Sequence, residues 1–150
     1  MNILAKLSRA YFRYKHKILD DFETFDYYKG LQTPADLQKK LALDNYQWSG
    51  EYYLCDWNKT PNEALSVKNI NCGDFMTLYF YLYELRNINY EGYYMENWDN
   101  IFDPQYHYIS LFNLDGQMYL QSNNVIQPVI NKEVVLDFYK ARGYNIISKI

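Results

Sequence analysis

NINCGDFMTLYFYLYEL, residues 69–85, joins a polar turn and one cysteine to an almost unbroken apolar run. How that run is buried decides the fold. Its apolar residues fall on every side of a helical wheel. A helix starting at Asn71 or Cys72 and ending near Asn87 is therefore expected at the centre of the molecule, not on its surface. The same position gives Cys72 a chemical opportunity. The unsatisfied N–H groups and macrodipole of a first helical turn favour a thiolate, although cysteine also packs as a small hydrophobe.

Downstream, INYEGYYMENW (88–98) alternates and reads as a strand, with Tyr90, Gly92 and Tyr94 on one side and Glu91, Tyr93 and Met95 on the other. YHYISLFNLDGQMYLQSNN (106–124) is the strongest hairpin in the chain. Asp115-Gly116 is a type I′ signal that pairs Leu114 with Gln117, so paired numbers sum to 231 and His107 faces Asn124. VIQPVI (125–130) is an extended segment confined to a sheet edge by Pro128. NKEVVLDFYKARGYN (131–145) is a helix with Asn131 as N-cap, Val134, Val135 and Phe138 inward and Gly143 as stop. NIISKI (145–150) reads as a last strand.

Upstream, two segments carry the same start signal. Thr33-Pro34 with Asp36, and Thr60-Pro61 with Glu63, each place an N-cap, a proline at the first position and an acid in the first turn. In the first of these helices Leu37, Leu41 and Leu43 are expected inward. DFETFDYYKGLQ (21–32) reads as a connector with Gly30 as a turn. NYQWSGEYYLCDWNK (45–59) reads as aromatic loop or short strand. Residues 3–20 read as a basic amphipathic helix, either packed on its own domain or serving as a membrane-surface or partner-binding arm. The order, helices followed by antiparallel strands, is α+β. The domain division is 1–32 for the basic helix and connector, and 33–150 for the domain proper.

A chain of 150 residues with 49% hydrophobic and 22% charged residues suits one soluble domain. Its 18 tyrosines imply a core with polar edges, each hydroxyl needing a partner. Five bases (Lys6, Arg9, Arg13, Lys15 and Lys17) lie in the first 17 residues, leaving ten of the 15 basic groups against all 18 acids elsewhere. An acidic body argues against nucleic-acid binding. Cys55 and Cys72 form no disulfide framework, and with His16 and His107 they show no metal-ligand spacing, so no cofactor is expected and a reducing, cytoplasmic setting is. No apolar stretch is long enough for a membrane span.

Cys72, His107 and the cluster Gln121, Ser122 and Asn123 can form one site. The hairpin brings His107 beside Ser122 and Asn123, either of which could fix its tautomer, leaving the other ring nitrogen for the thiol. Imidazole would take the thiol proton and return it to the leaving group, and the Cys72 N–H could stabilise an oxyanion. Structurally, the same residues read as a buried helix start, a strand end and a turn cluster.

The order of parts resembles the transglutaminase-like, papain-like cysteine hydrolase superfamily, closest to small bacterial and phage transglutaminase-like cysteine peptidases. Trp57, Thr60, Pro61, Glu63 and Leu65 resemble the family's W-x-TP-x-E-x-L lead, with one extra residue after Trp57. Cys72, Asp74 and Phe75 resemble its GDC-x-DF turn, and His107, Gly116 and Ser122-Asn123 its last part. The resemblance covers about residues 33–147. It departs where Ile70-Asn71 replaces Gly-Asp, and where no aspartate follows the histidine. It implies Cys72 as nucleophile, His107 as general base and acid, and Asn123 as orienter with Ser122 as substitute. Gln47 or Trp48 are candidate oxyanion donors, and the substrate would be a protein or peptide amide. A catalytically silent module of the same fold, used for binding in a virion or host, is the alternative. Oligomeric state and the choice among hydrolysis, transamidation and deamidation stay open.

Overall fold

The computed structural model describes residues 22–49, 59–100 and 104–150. The basic helix expected at 3–20, and with it Cys55 and Trp57, lies outside the described residues. Within them the fold is α+β: five helices, a five-stranded antiparallel sheet and a two-stranded parallel ribbon. The helices are α1 (Phe22–Tyr28), α2 (Pro34–Leu43), α3 (Pro61–Ser66), α4 (Cys72–Arg86) and α5 (Lys132–Lys140). Strands β1 (Gln47–Trp48) and β2 (Asn69–Ile70) make the ribbon. Strands β3 (Tyr90–Asn97), β4 (Gln105–Leu114), β5 (Gln117–Ser122), β6 (Val125–Pro128) and β7 (Ile146–Lys149) make the sheet, in the order β6-β5-β4-β3-β7.

Helix α4 is buried without a break from Cys72 to Tyr83. Its start is held by a reciprocal cap. Asn71 Oδ1 accepts the Asp74 N–H at 2.8 Å, and Asp74 Oδ2 accepts the Asn71 N–H at 3.1 Å. Asp74 is fully buried, and both of its oxygens accept hydrogen bonds. It also accepts the Lys59 N–H at 2.8 Å and the Lys59 ammonium at 2.7 Å. At the far end Asn87 takes a left-handed conformation and stops the helix.

Tyrosine hydroxyls on α4 and around it are paired as well. Tyr28 donates to the Leu78 carbonyl at 2.7 Å, and Tyr79 to Asn124 Oδ1 at 2.8 Å. Tyr83 shares a 3.0 Å bond with Ser110 Oγ. On the strand side Gly92 is needed for space: a Cβ there would run into the Phe80 ring.

Sheet register follows the hairpin. Leu114 pairs with Gln117, and Asp115 and Gly116 both have positive φ, as a type I′ turn requires. Alternation gives the sheet two dressed faces. Tyr94, Tyr108 and Phe112 pack toward α4, while Tyr93, Met95, Ile109 and Leu111 pack with Val135 and Tyr139 of α5 on the outer face.

Four expectations need correction. The connector holds a helix, α1, because Tyr28 is drawn fully into the core. The turn before Cys72 contains a strand, β2, pairing in parallel with β1. Leu43 is 72% exposed, since it falls on the far side of α2 from Leu37 and Leu41. In α5, Val134 and Phe138 face out and Val135 and Tyr139 face in, a phase set by Tyr139 reaching the polar end of the sheet.

Removing one partner of the buried Asp74–Lys59 pair should cost more on the carboxylate side. Asp74→Ala is expected to lower stability by about 3 kcal/mol and Lys59→Ala by about 1 kcal/mol, because Lys59 is partly solvated and keeps its backbone bond. Urea midpoints measure both, and a reversed order contradicts the assignment.

Candidate active site

Cys72 is the first residue of α4 and is 1% exposed. It stands two residues after β2, so the β1–β2 ribbon brings Gln47 and Trp48 close to it along the chain. Gln47 pairs with Asn69 and Trp48 with Ile70, and the Ser49 N–H donates to the Ile70 carbonyl at 2.9 Å. Both candidate oxyanion side chains are nevertheless exposed, Trp48 by 58%.

His107 lies on the outer face of β4, in phase with Ile109 and Leu111. Its Nε2 is 2.8 Å from Ser122 Oγ. The ring sits 5.6 Å from the Tyr139 ring and 6.4 Å from the Tyr144 ring, centre to centre. Among the described residues its hydrogen-bond partner is Ser122, not the Cys72 sulfur and not Asn123. The hairpin ladder ends at Ile109–Ser122, so the pairing of His107 with Asn124 is not formed.

That early stop matters. From Gln105 to Tyr108, β4 has no β5 residue paired beside it, which leaves a window at the end of the sheet. Tyr139, from α5, directs its hydroxyl to Ser122 Oγ at 3.4 Å. Burial raises the Tyr139 phenol, the Ser122 bond and Arg142 oppose the rise, and the Cys72 thiol adds to it. The structure thus joins Tyr139, Ser122 and His107 on the outer face of the sheet, while Cys72 belongs to the cluster between α4 and the inner face.

The rim is rigidly held. Gln121 is fully buried on the α4 face. Its Oε1 accepts from Ser110 Oγ at 2.8 Å, and its Nε2 donates to the Asn123 carbonyl at 2.6 Å. Asn123 is left-handed (φ 51°), and its Oδ1 is buried with no hydrogen-bond partner among the described residues. Asn124 is bound three ways: Gln38 Nε2 donates to its carbonyl at 2.9 Å, its own Nδ2 donates to the Gln38 carbonyl at 3.1 Å, and Tyr79 donates to its Oδ1. These contacts fix the turn that carries Ser122.

Tyr139, Gln38 and Asn124 were not singled out from sequence. Tyr139 could have been found by giving α5 a phase with Val135 and Tyr139 four apart on one side. Nothing in the sequence marks Gln38, which meets Asn124 across 86 positions. Among the described residues no cluster of His, Cys, Asp or Glu could hold a metal ion, and no helix is long and apolar enough to cross a membrane.

No family model matches the chain, no curated protein matches it, and no solved structure matches it.

Burial pushes the His107 imidazole down to about 4, so the ring is neutral at pH 7. The unfolded chain, with an ordinary value near 6.5, takes up this proton first. Between pH 6.5 and 4 acid therefore favours unfolding, by up to about 3 kcal/mol at the lower end. The carboxylates held low by hydrogen bonds, Glu91 at about 2 among them, withdraw their support only at more acid pH. Stability should fall between pH 6.5 and 4.5 in the natural chain and be flatter in His107→Gln. Parallel slopes in urea titrations would show that the ring is not the buried neutral group described.

Proposed function

We propose that the chain catalyses thiol-dependent acyl transfer on an amide of a protein or peptide, with a transglutaminase-like arrangement of parts. The observation that carries the reading is the His107 Nε2–Ser122 Oγ bond of 2.8 Å, at the end of the sheet where β4 runs on past its last β5 partner. With the Nε2 hydrogen directed at Ser122, Nδ1 keeps its lone pair for the thiol proton.

The reaction follows. Sulfur attacks the amide carbon as Nδ1 removes the thiol proton. The carbonyl oxygen gains negative charge opposite the first N–H groups of α4. Collapse breaks the carbon–nitrogen bond, and the imidazolium gives its proton to the departing amine. Water or another amine, deprotonated by the same ring, then attacks the thioester and restores the thiol. Because the ring is neutral at rest, proton transfer accompanies attack, and no resting thiolate–imidazolium pair is involved.

A silent binding module of the same fold is the competing reading. It is favoured by the 1% exposure of Cys72 and by an imidazole bonded to Ser122 instead of sulfur.

An activated acyl ester separates the two. On the acyl-transfer reading, mass spectrometry finds a hydroxylamine-sensitive adduct on the Cys72 peptide. His107→Gln slows its formation by about a hundredfold or more, and the acid limb of the rate lies near pH 4. An adduct absent from Cys72, or equally fast in His107→Gln, leaves the binding module.

A further inference from the structure

The outer face of the sheet holds a hydroxyl and an imidazole in direct contact, and in the thiol mechanism that hydroxyl only orients the ring. His107 Nε2 and Ser122 Oγ are 2.8 Å apart, and the Tyr139 hydroxyl donates to the same Oγ at 3.4 Å. A neutral imidazole carries one hydrogen, on either of its two nitrogens. With that hydrogen on Nδ1, the bonds run in one direction. Tyr139 donates to Oγ, and Oγ donates to Nε2. The serine hydrogen is then directed at a base, the arrangement that activates a hydroxyl as a nucleophile.

Position and access agree with this. Ser122 is the last residue of β5 and pairs with Val125 across the two-residue loop Asn123–Asn124. That loop is fixed, because Gln121 donates to the Asn123 carbonyl and Gln38 and Tyr79 hold Asn124. Ser122 and His107 are both partly exposed. Beyond Ser122 the ladder ends, so β4 from Gln105 to Tyr108 has no β5 residue at its side. The Tyr139 and Tyr144 rings stand 5.6 and 6.4 Å from the imidazole and 5.7 Å from each other, an aromatic wall beside the pair. Among the described residues no carboxylate is bonded to the ring, whose hydrogen-bond partner is Ser122. Imidazolium charge is therefore unsupported, which restricts the pair to leaving groups more acidic than an amine.

We propose that Ser122 is a second nucleophile, with His107 as its base and Tyr139 as hydrogen-bond donor to the carbonyl oxygen, and that its substrate is a carboxylic ester of an aryl alcohol. Oγ bonds to the ester carbon as its hydrogen passes to Nε2. The bond from that carbon to the alcohol oxygen breaks, and Nε2–H protonates the departing oxygen. Water then attacks the acyl-serine and gives a hydrogen to Nε2. That hydrogen returns to Oγ as the carboxylic acid leaves. The activity goes beyond acyl transfer at Cys72 and does not need it, since the position of the adduct on the chain tells the two apart.

A fluorophosphonate probe, mapped peptide by peptide on the folded natural chain, tests the assignment. Ser122 is expected to take the phosphonyl group at least about tenfold faster than Ser66, whose hydroxyl donates to the Glu63 carbonyl and faces no base. Denaturing urea should remove the difference. His107→Gln is expected to slow labelling at Ser122 by about a hundredfold. Tyr139→Phe, which keeps the ring, should slow it by about tenfold. Ile130→Ala, at a position 87% exposed, should leave it unchanged. Turnover of p-nitrophenyl acetate should follow the same order. The assignment is overturned if Ser122 labels no faster than Ser66 in the natural chain. It is equally overturned if His107→Gln, with the circular dichroism of the natural chain, labels Ser122 as fast. Should that variant fail to fold, the comparison of Ser122 with Ser66 decides.

Discussion

A helix that is apolar on every side must be jacketed on every side, and that requirement organises this molecule. The sheet supplies one wall of the jacket through Tyr94, Tyr108 and Phe112. Helices α1 to α3 supply the rest, through Tyr28, Leu37, Leu41 and Ala64. Tyrosine does much of the covering, which makes the jacket hydrogen-bonded as well as greasy. The Tyr28 hydroxyl of the jacket and the Tyr79 and Tyr83 hydroxyls of the helix each find an acceptor or partner at a defined place, so these bonds position what a purely aliphatic core would only fill. One of those places is the turn at Asn124, on the rim of the site.

The two faces of the sheet therefore carry different chemistry. The inner layer fixes Cys72 by the Asn71–Asp74 cap and the Lys59 ion pair. A buried carboxylate beside the thiol takes up part of the positive end of the helix, which leaves less of that field for a thiolate. The outer layer adds His107 as a neutral ring. Both features disfavour a charged thiolate–imidazolium pair at rest. Ser122 can orient such a ring, but it lacks the negative charge with which an aspartate would hold an imidazolium.

Much of this was legible beforehand, and for identifiable reasons. The caps at Thr33, Thr60 and Asn131, and the Asp115-Gly116 turn, are local signals whose chemistry is complete within four residues. Register from Leu114–Gln117 onward follows arithmetically from that turn. What was not legible depends on tertiary contact. The length of β5 decides which residue His107 can reach, and it stops at Ser122 because Asn123 turns left-handed there. The phase of α5 is set by one tyrosine seeking the end of a sheet. Strand β2 exists only because β1 lies beside it. The side of β4 on which His107 falls followed from alternation, but which helix covers that side did not.

The strand order carries one more consequence. Strands β3 to β6 succeed one another as neighbours, so their pairings close by short connections. Strand β7 instead returns to β3, joining Tyr93 to Lys149 across more than fifty positions. Contacts of that separation form late. Until they do, β3 keeps an open edge bearing Tyr93 and Met95, a template on which a second unfinished chain can add its own strand. The short C-terminal strand thus acts as a seal against self-association during folding, a task separate from anything the molecule does once folded.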